Sequence, residues 1–206
     1  AEAGKDPRTW HVDALLTITR ASLGRIDDIL DEYLGLGIRS VHLRPLNPYG
    51  FASDAWRRIG YTTEEFLAFY QHALDRILER NREGEDLVEG TAAVVLTKML
   101  TPDDPGYVDL RSPCGAGTGQ VAYDHDGGVY PCDEARMVAA EGDRIFQIGQ
   151  VGRGSLAEDL RHPTVRAMAV ASITETLPAC STCWNRPFCG VCPMHTWQTC
   201  GDLFGQ

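Results

Sequence analysis

The spacing of apolar positions changes character along the 206-residue chain, and each change predicts an element. "HVDALLTITR" (11–20) is nearly continuous in apolar and β-branched residues, as in a strand buried on both faces. The next stretch, "SLGRIDDILDEYLGLG", puts Ile26, Ile29, Leu30, Tyr33 and Leu34 on one helical stripe, with a stop at Gly35 or Gly37. "RSVHLRPLNPYG" (39–50) then reads as a second strand closed by proline and glycine. Strand, helix and strand in that order predict a parallel pair joined by a right-handed crossover.

A longer helix is predicted from Thr62, which forms a capping box with Glu65. Its stripe of Phe66, Phe69, Tyr70, Ala73, Leu74, Ile77 and Leu78 runs on to Arg82. A further helix is expected over 86–100, ended by "TPDDPG" (101–106), a Pro/Asp/Gly cluster that marks a domain boundary. The chain is therefore divided into 1–105 and 106–206. In the second part, "GQVAYDHDGGVYPC" alternates as a hairpin turning at Asp126-Gly127. A short amphipathic helical stretch is expected over 155–175, and the cysteine-rich end reads as mostly loop. That end has too few apolar residues for its own core and needs staples. The fold class is α/β, followed by an irregular cysteine-rich domain.

Composition narrows the functions. A net charge of −10 with no basic stretch argues against nucleic acid as a partner. No run of about 18 apolar residues exists, which argues against a membrane span. "AEAGKDPRTWHVD" has no basic stretch leading into an apolar one, so no export signal is expected and a cytoplasmic location is. In a reducing compartment, seven cysteines are metal ligands before they are disulfides, and an odd number would leave one thiol over.

Five of the seven lie in "CSTCWNRPFCGVCPMHTWQTC" (180–200). The whole spacing is Cys114-x12-Gly127-x4-Cys132, then Cys180-x2-Cys183-x5-Cys189-x2-Cys192 and, seven residues on, Cys200. Each CxxC turn directs two thiolates inward towards one site. Zinc sites close with four ligands, so a four-plus-three division leaves one zinc short unless His195 or an acid completes it. Iron–sulfur clusters are also held by four cysteines, but an iron left open can serve the chemistry. The division suits clusters somewhat better and leaves zinc open.

This pattern resembles the SPASM domain of radical S-adenosylmethionine enzymes over about 110–206. The family usually has three residues inside the second close pair, where this chain has Gly190 and Val191. The wording "CGAGTGQVAYDHDGGVYPCDEARM" is most similar to the branch associated with His-Xaa-Ser peptide systems. The resemblance implies two auxiliary [4Fe-4S] clusters. Cys180, Cys183, Cys189 and Cys200 would hold the distal one, and Cys114, Cys132 and Cys192 the one nearer the active site. Some relatives supply a fourth cysteine near the first, but "PGYVDLRSP" has none. The open iron would then meet water, a side chain such as Asp133, or a substrate thiolate.

By the same resemblance, 1–105 is the C-terminal part of a six-unit radical SAM barrel. No CxxxCxxC motif, which would bind S-adenosylmethionine and a third [4Fe-4S] cluster, occurs in the sequence. The chain is thus expected to be the C-terminal portion of a peptide maturase, inactive alone, or a partner half completed in trans. The implied partners are a ribosomally made precursor peptide and an electron donor. The alternative is a non-catalytic, zinc-stapled module that binds a peptide or protein.

Asp133 follows Cys132 directly, where a carboxylate beside a cluster accepts a proton as a substrate radical is oxidised; the plainer alternative is a surface residue ending a strand. Arg44, with Thr19 and Arg20, falls at predicted strand ends, where parallel barrels place their chemistry, and Arg44 is the candidate cofactor-binding residue. "CGAGTGQ" is read as a tight turn, since a hairpin rather than a helix follows. "DHDGG" is no calcium loop, because its sixth and twelfth positions are Val129 and Ala135. His11, His42, His72 and His162 are read as structural or surface residues, and Trp184, Phe188 and Trp197 as shields that keep water from the clusters.

Overall fold

Buried apolar residues gather in two larger clusters and a small third one of Val129, Ile148 and Val165, and the chain divides between Thr97 and Lys98 into two compact units. The structure, a computed structural model, describes residues 12–205, so His11, the first residue of the predicted opening strand, lies outside it. The division falls ahead of the Pro/Asp/Gly cluster that the sequence marks as a boundary.

The first unit is built on a parallel sheet of β1 (Ala14–Thr17), β2 (Ser40–Arg44) and β3 (Val88–Glu89), in that spatial order. The register sets Ala14 against Val41, Thr17 against Arg44, and Ser40 against Val88, so the expected parallel pair is present. β1 is shorter than the apolar run predicts. Its backbone leaves the sheet at Thr19, whose amide donates to Ser22 Oγ (3.2 Å) and whose side chain caps a 3-10 turn over Arg20–Ser22.

Two helices carry the predicted stripes. α1 (Ile26–Gly35) buries Ile26 and Leu30. A second helix, Phe51–Ile59 (α2), precedes α3 (Thr63–Arg82), which buries Phe69, Ala73 and Ile77. The capping box of α3 is formed as expected, with Glu65 N donating to Thr62 Oγ1 (3.2 Å) and Thr62 N to the Glu65 carboxylate (2.7 Å). These faces close over Ile18, Val41 and Leu43.

Two elements depart from the sequence reading. α2 fills the stretch 51–59, to which the sequence reading assigns no element; it is amphipathic but buries no residue fully. It ends at Gly60, where any Cβ would stand 2.5 Å from the Trp56 ring. The helix predicted over 86–100 is instead β3 followed by α4 (Gly90–Leu100). The cause is Glu89, which is only 5% exposed. Its carboxyl accepts from Leu43 N (3.1 Å), from the Tyr70 hydroxyl, and from Ala92 N (2.6 Å) at the start of α4. One side chain thus ties β2, α3 and α4. Burial, and then the adjacent Glu89, push the Tyr70 phenol well above its usual range, which keeps it a donor.

The second unit contains an antiparallel sheet of β4 (Ala122–Tyr123), β5 (Gly128–Tyr130) and β6 (Gly149–Gln150). The predicted hairpin joins β4 to β5, with Gly127 at φ +84° and its amide donating to Asp124 O (2.9 Å). The third strand has only two residues, too few for a period to be read. α5 (Asp133–Ala140) starts where a strand end is the plainer reading of Asp133. The helical stretch 155–175 is broken into α6 (Leu156–Asp159) and α7 (Pro163–Ala171), because Pro163 restarts the helix. α8 (Pro178–Ser181) and α9 (Pro193–Cys200) form where loop is expected. The unit does have a core: Tyr130, Ala135, Val138, Phe146, Met168 and Met194 surround Cys114 and Cys132. The cysteine-rich end contributes Met194, which is 0% exposed. Among the described residues, no helix is long and apolar enough to cross a membrane.

Removing the Glu89 carboxyl leaves one buried and two part-buried donors without that acceptor. Glu89→Ala is expected to cost about 3 kcal/mol in urea denaturation, and Tyr70→Phe, which removes one donor, about 1 kcal/mol. Equal and small losses would show that the tie is not structural.

Candidate metal centre

Cys114 opens the glycine-rich turn. Its amide donates to Ser172 Oγ (2.9 Å), and its thiol accepts from Ala116 N (3.4 Å). The turn is closed by Gly119 N donating to Gly115 O (2.7 Å), as the tight-turn reading of "CGAGTGQ" requires. Gly117, at φ +68°, donates to Pro131 O (2.7 Å), and a Cβ there would also press on Val165. That bond fastens the Cys114 turn to the segment carrying Cys132. The hairpin β4–β5 occupies the interval between the two cysteines, so the spacing around Gly127 is the length of that hairpin.

Cys132 is the N-cap of α5, and its thiol accepts from Ala135 N (3.4 Å). Cys192 is the N-cap of α9, and its thiol accepts from the backbone of His195 and Met194. α5 packs against α9. Two of the three thiols thus stand at helix starts, where free amides and the positive end of the dipole favour a negative sulfur.

The three thiols also feel one another. Cys132 is influenced by Cys192 and Cys114, and Cys192 by Cys114. Burial is the main force on each. It raises the Cys114 thiol, lifts Cys132 far above its usual range, and takes Cys192 to about 11, although Cys192 as a residue is exposed. One further group raises all three, the carboxylate of Glu134 on the first turn of α5. Sequence reasoning selected the neighbouring Asp133 and passed over Glu134. The sign of a helix start directly after Cys132, in "CDEARM", was available and would have turned attention to the second acid.

The remaining four cysteines are differently placed. Cys180 is half-buried on α8, and Cys183, Cys189 and Cys200 are exposed. All seven thiols are free of disulfides. Among the described residues, no three or more His, Cys, Asp or Glu side chains are grouped to hold a metal ion. The 189–192 loop is nevertheless fixed from outside: Gly190 lies so close to the backbone of Asp109 and Leu110 that no Cβ fits there.

The other candidates are dispersed. Asp133 is exposed and bonded to Arg136 Nε (2.9 Å). Arg44 is half-buried at the end of β2, opposite Thr17. Arg20 is committed to the scaffold, with Nε donating to Gly60 O (2.8 Å) and the guanidinium paired to Glu65. Of the aromatic residues expected to shield clusters, Trp184 is 81% exposed. Trp197 meets Phe146 edge to face (5.3 Å) and donates to Asp143 (3.0 Å), so it serves the core.

Two outcomes test this geometry. Gly190→Ala is expected to destabilise the metal-free chain by about 2 kcal/mol, because the backbone of Asp109 cannot yield as a side chain would; a neutral effect in thermal denaturation would place that loop elsewhere. Alkylation of the metal-free chain at pH 8 should modify Cys183, Cys189 and Cys200 first and Cys114 and Cys132 last. Cys192 should join the fast group only as the pH approaches about 11. Uniform labelling at pH 8 would contradict the burial of Cys114 and Cys132 and the raised Cys192 thiol.

No protein-family model matches the chain. A curated protein of Archaeoglobus fulgidus, described as uncharacterized, is 26% identical over 193 residues, covering 93% of this chain and 43% of its own length. The chain is similar to the solved structure of native anSMEcpe with bound AdoMet, with a TM-score of 0.65 at 14% identity, over 87% of this chain and 47% of that one. The structure of native anSMEcpe with bound AdoMet and Cp18Cys peptide gives a TM-score of 0.66 over the same shares. The chain therefore shares the fold of these structures and spans less than half the length of the relatives it matches.

Proposed function

We propose that the chain is the C-terminal portion of a radical SAM/SPASM peptide maturase, carrying two auxiliary [4Fe-4S] clusters. Cys114, Cys132 and Cys192 hold one, and Cys180, Cys183, Cys189 and Cys200 the other. The observation that carries the reading is three thiols in one unit, each accepting backbone amides, in a fold shared with AdoMet-bound anSMEcpe.

The donor chemistry fits a cluster better than a single ion. Among the described residues no three or more His, Cys, Asp or Glu side chains are grouped to hold a metal, so neither kind of site is preformed, and the four-plus-three division of the cysteines is what favours clusters. A cluster places each cysteine on a different iron, so its ligands stand further apart. Buried thiols must give up their protons to bind, and amides already aimed at the sulfurs lower that cost. The exposed second set suits a segment that closes around its metal as the metal arrives.

In the full-length enzyme, S-adenosylmethionine and its own cluster would supply the radical that takes hydrogen from a residue of a ribosomally made peptide. This chain's part is to present Arg44 at the end of β2 towards the cofactor, to hold the auxiliary clusters as electron acceptors or substrate ligands, and to receive the peptide and an electron donor. The Cp18Cys peptide bound in an anSMEcpe structure supports a peptide partner.

Anaerobic reconstitution of the full 206 residues should yield a brown protein with about eight irons per chain. Cys183→Ala and Cys114→Ala should each lose about four of them, with different clusters remaining in electron paramagnetic resonance. A colourless protein with stoichiometric zinc would overturn the cluster reading in favour of a zinc-stapled binding module.

A further inference from the structure

We propose that His42 and Arg44 form a carboxylate-binding pair on the open face of the parallel sheet, where they take an acidic side chain of the peptide substrate. The assignment rests on the peptide partner of the reading above. Alternation along the strands fixes the face. Val41 and Leu43 of β2, Ala14 of β1 and Glu89 of β3 are buried on the helix side. Ser40, His42 and Arg44 are half-buried on the other side, with Leu15 beside His42 and Thr17 beside Arg44. Leu15 is 62% exposed and Val88, beside Ser40, 45%.

The His42 ring is seated on Gly90, where a Cβ would fall on the ring carbons and Nε2. An imidazole has an N–H to donate in either charge state. Arg44 follows about 7 Å along the same face. Its side chain has no hydrogen bond or ion pair among the described residues. The other half-buried arginines are all engaged: Arg76, Arg80, Arg111 and Arg136 with carboxylates, and Arg186 with Ser181 O (3.0 Å). A half-buried guanidinium without an anion is unfavourable, and its five donors can face a cofactor and still grip a peptide carboxylate. The chain has a net charge of −10, yet the strand residues of this face include no acid. Asp13 and Asp86 precede β1 and β3, at the opposite end of the strands from Arg44. Leu15 and Val88 add apolar surface around the pair, so the matching segment is extended and carries an acid between apolar residues.

The test is fluorescence anisotropy of the full chain with two labelled peptides, one carrying a single glutamate between valines and the other a glutamine in its place. The glutamate peptide should bind several-fold tighter. That preference should be lost in His42→Gln and in Arg44→Gln and kept in Arg44→Lys, which retains the charge, with thermal unfolding showing that each variant is folded. Equal affinity of the wild type for both peptides overturns the carboxylate assignment and leaves the maturase reading standing. A preference that survives in both Gln variants overturns it as well. S-adenosylmethionine is then added to the complex of wild type and glutamate peptide: complete displacement assigns the pair to the cofactor's carboxylate and the proposal fails, while retention of the peptide supports it. If the wild type binds neither peptide, the peptide partner fails and the assignment falls with it.

Discussion

A thiol in an apolar core resists losing its proton, and a metal ligand must lose it. If the thiols bind metal as proposed, the second unit is built around that opposition. Cys114 and Cys132 sit among Ala116, Tyr130, Ala135, Val138 and Met194, and burial is the largest influence on each. Against it stand backbone amides that the local structure directs at the sulfurs: Ala116 in the glycine turn, Ala135 on the first turn of α5, and Met194 and His195 at the start of α9. The hairpin, the glycine turn and the two helix starts are all needed to hold those donors in place. Metal binding would release the opposition, which couples loading to the stability of the unit.

The first unit meets a different constraint with a similar device. Its parallel sheet is short and its strands end early, so polar side chains do the joining. The Tyr61 hydroxyl donates to Ile18 O (3.0 Å) and accepts from Leu46 N (2.7 Å), bridging the chain just beyond β1 and β2. Glu89 does the same for β2, α3 and α4. Buried polar groups of this kind stabilise only when fully satisfied, and these are. They also occupy part of the strand-end region where chemistry is expected, leaving Arg44 as the free candidate and Arg20 as a scaffold residue.

The sequence by itself determined the parallel β1–β2 pair, the stripes of α1 and α3, the Thr62–Glu65 capping box and the hairpin at Asp126-Gly127. These rest on interactions local in sequence, or on a period repeated often enough to be read. The cysteine spacing raises the expectation of metal chemistry. Tertiary structure decided what depended on a distant partner. β3 exists because Val88 and Glu89 find β2, and β6 because Gly149 finds β5. Gly190 is required by the backbone of Asp109, far away in the chain. The different surroundings of Asp133 and Glu134 also depend on how α5 is docked. On the first turn of α5, Asp133 is exposed and pairs with Arg136, while Glu134 is half-buried. A helix separates neighbouring side chains by about 100° around its axis, so two acids that are equivalent in sequence meet different surroundings once the helix is docked.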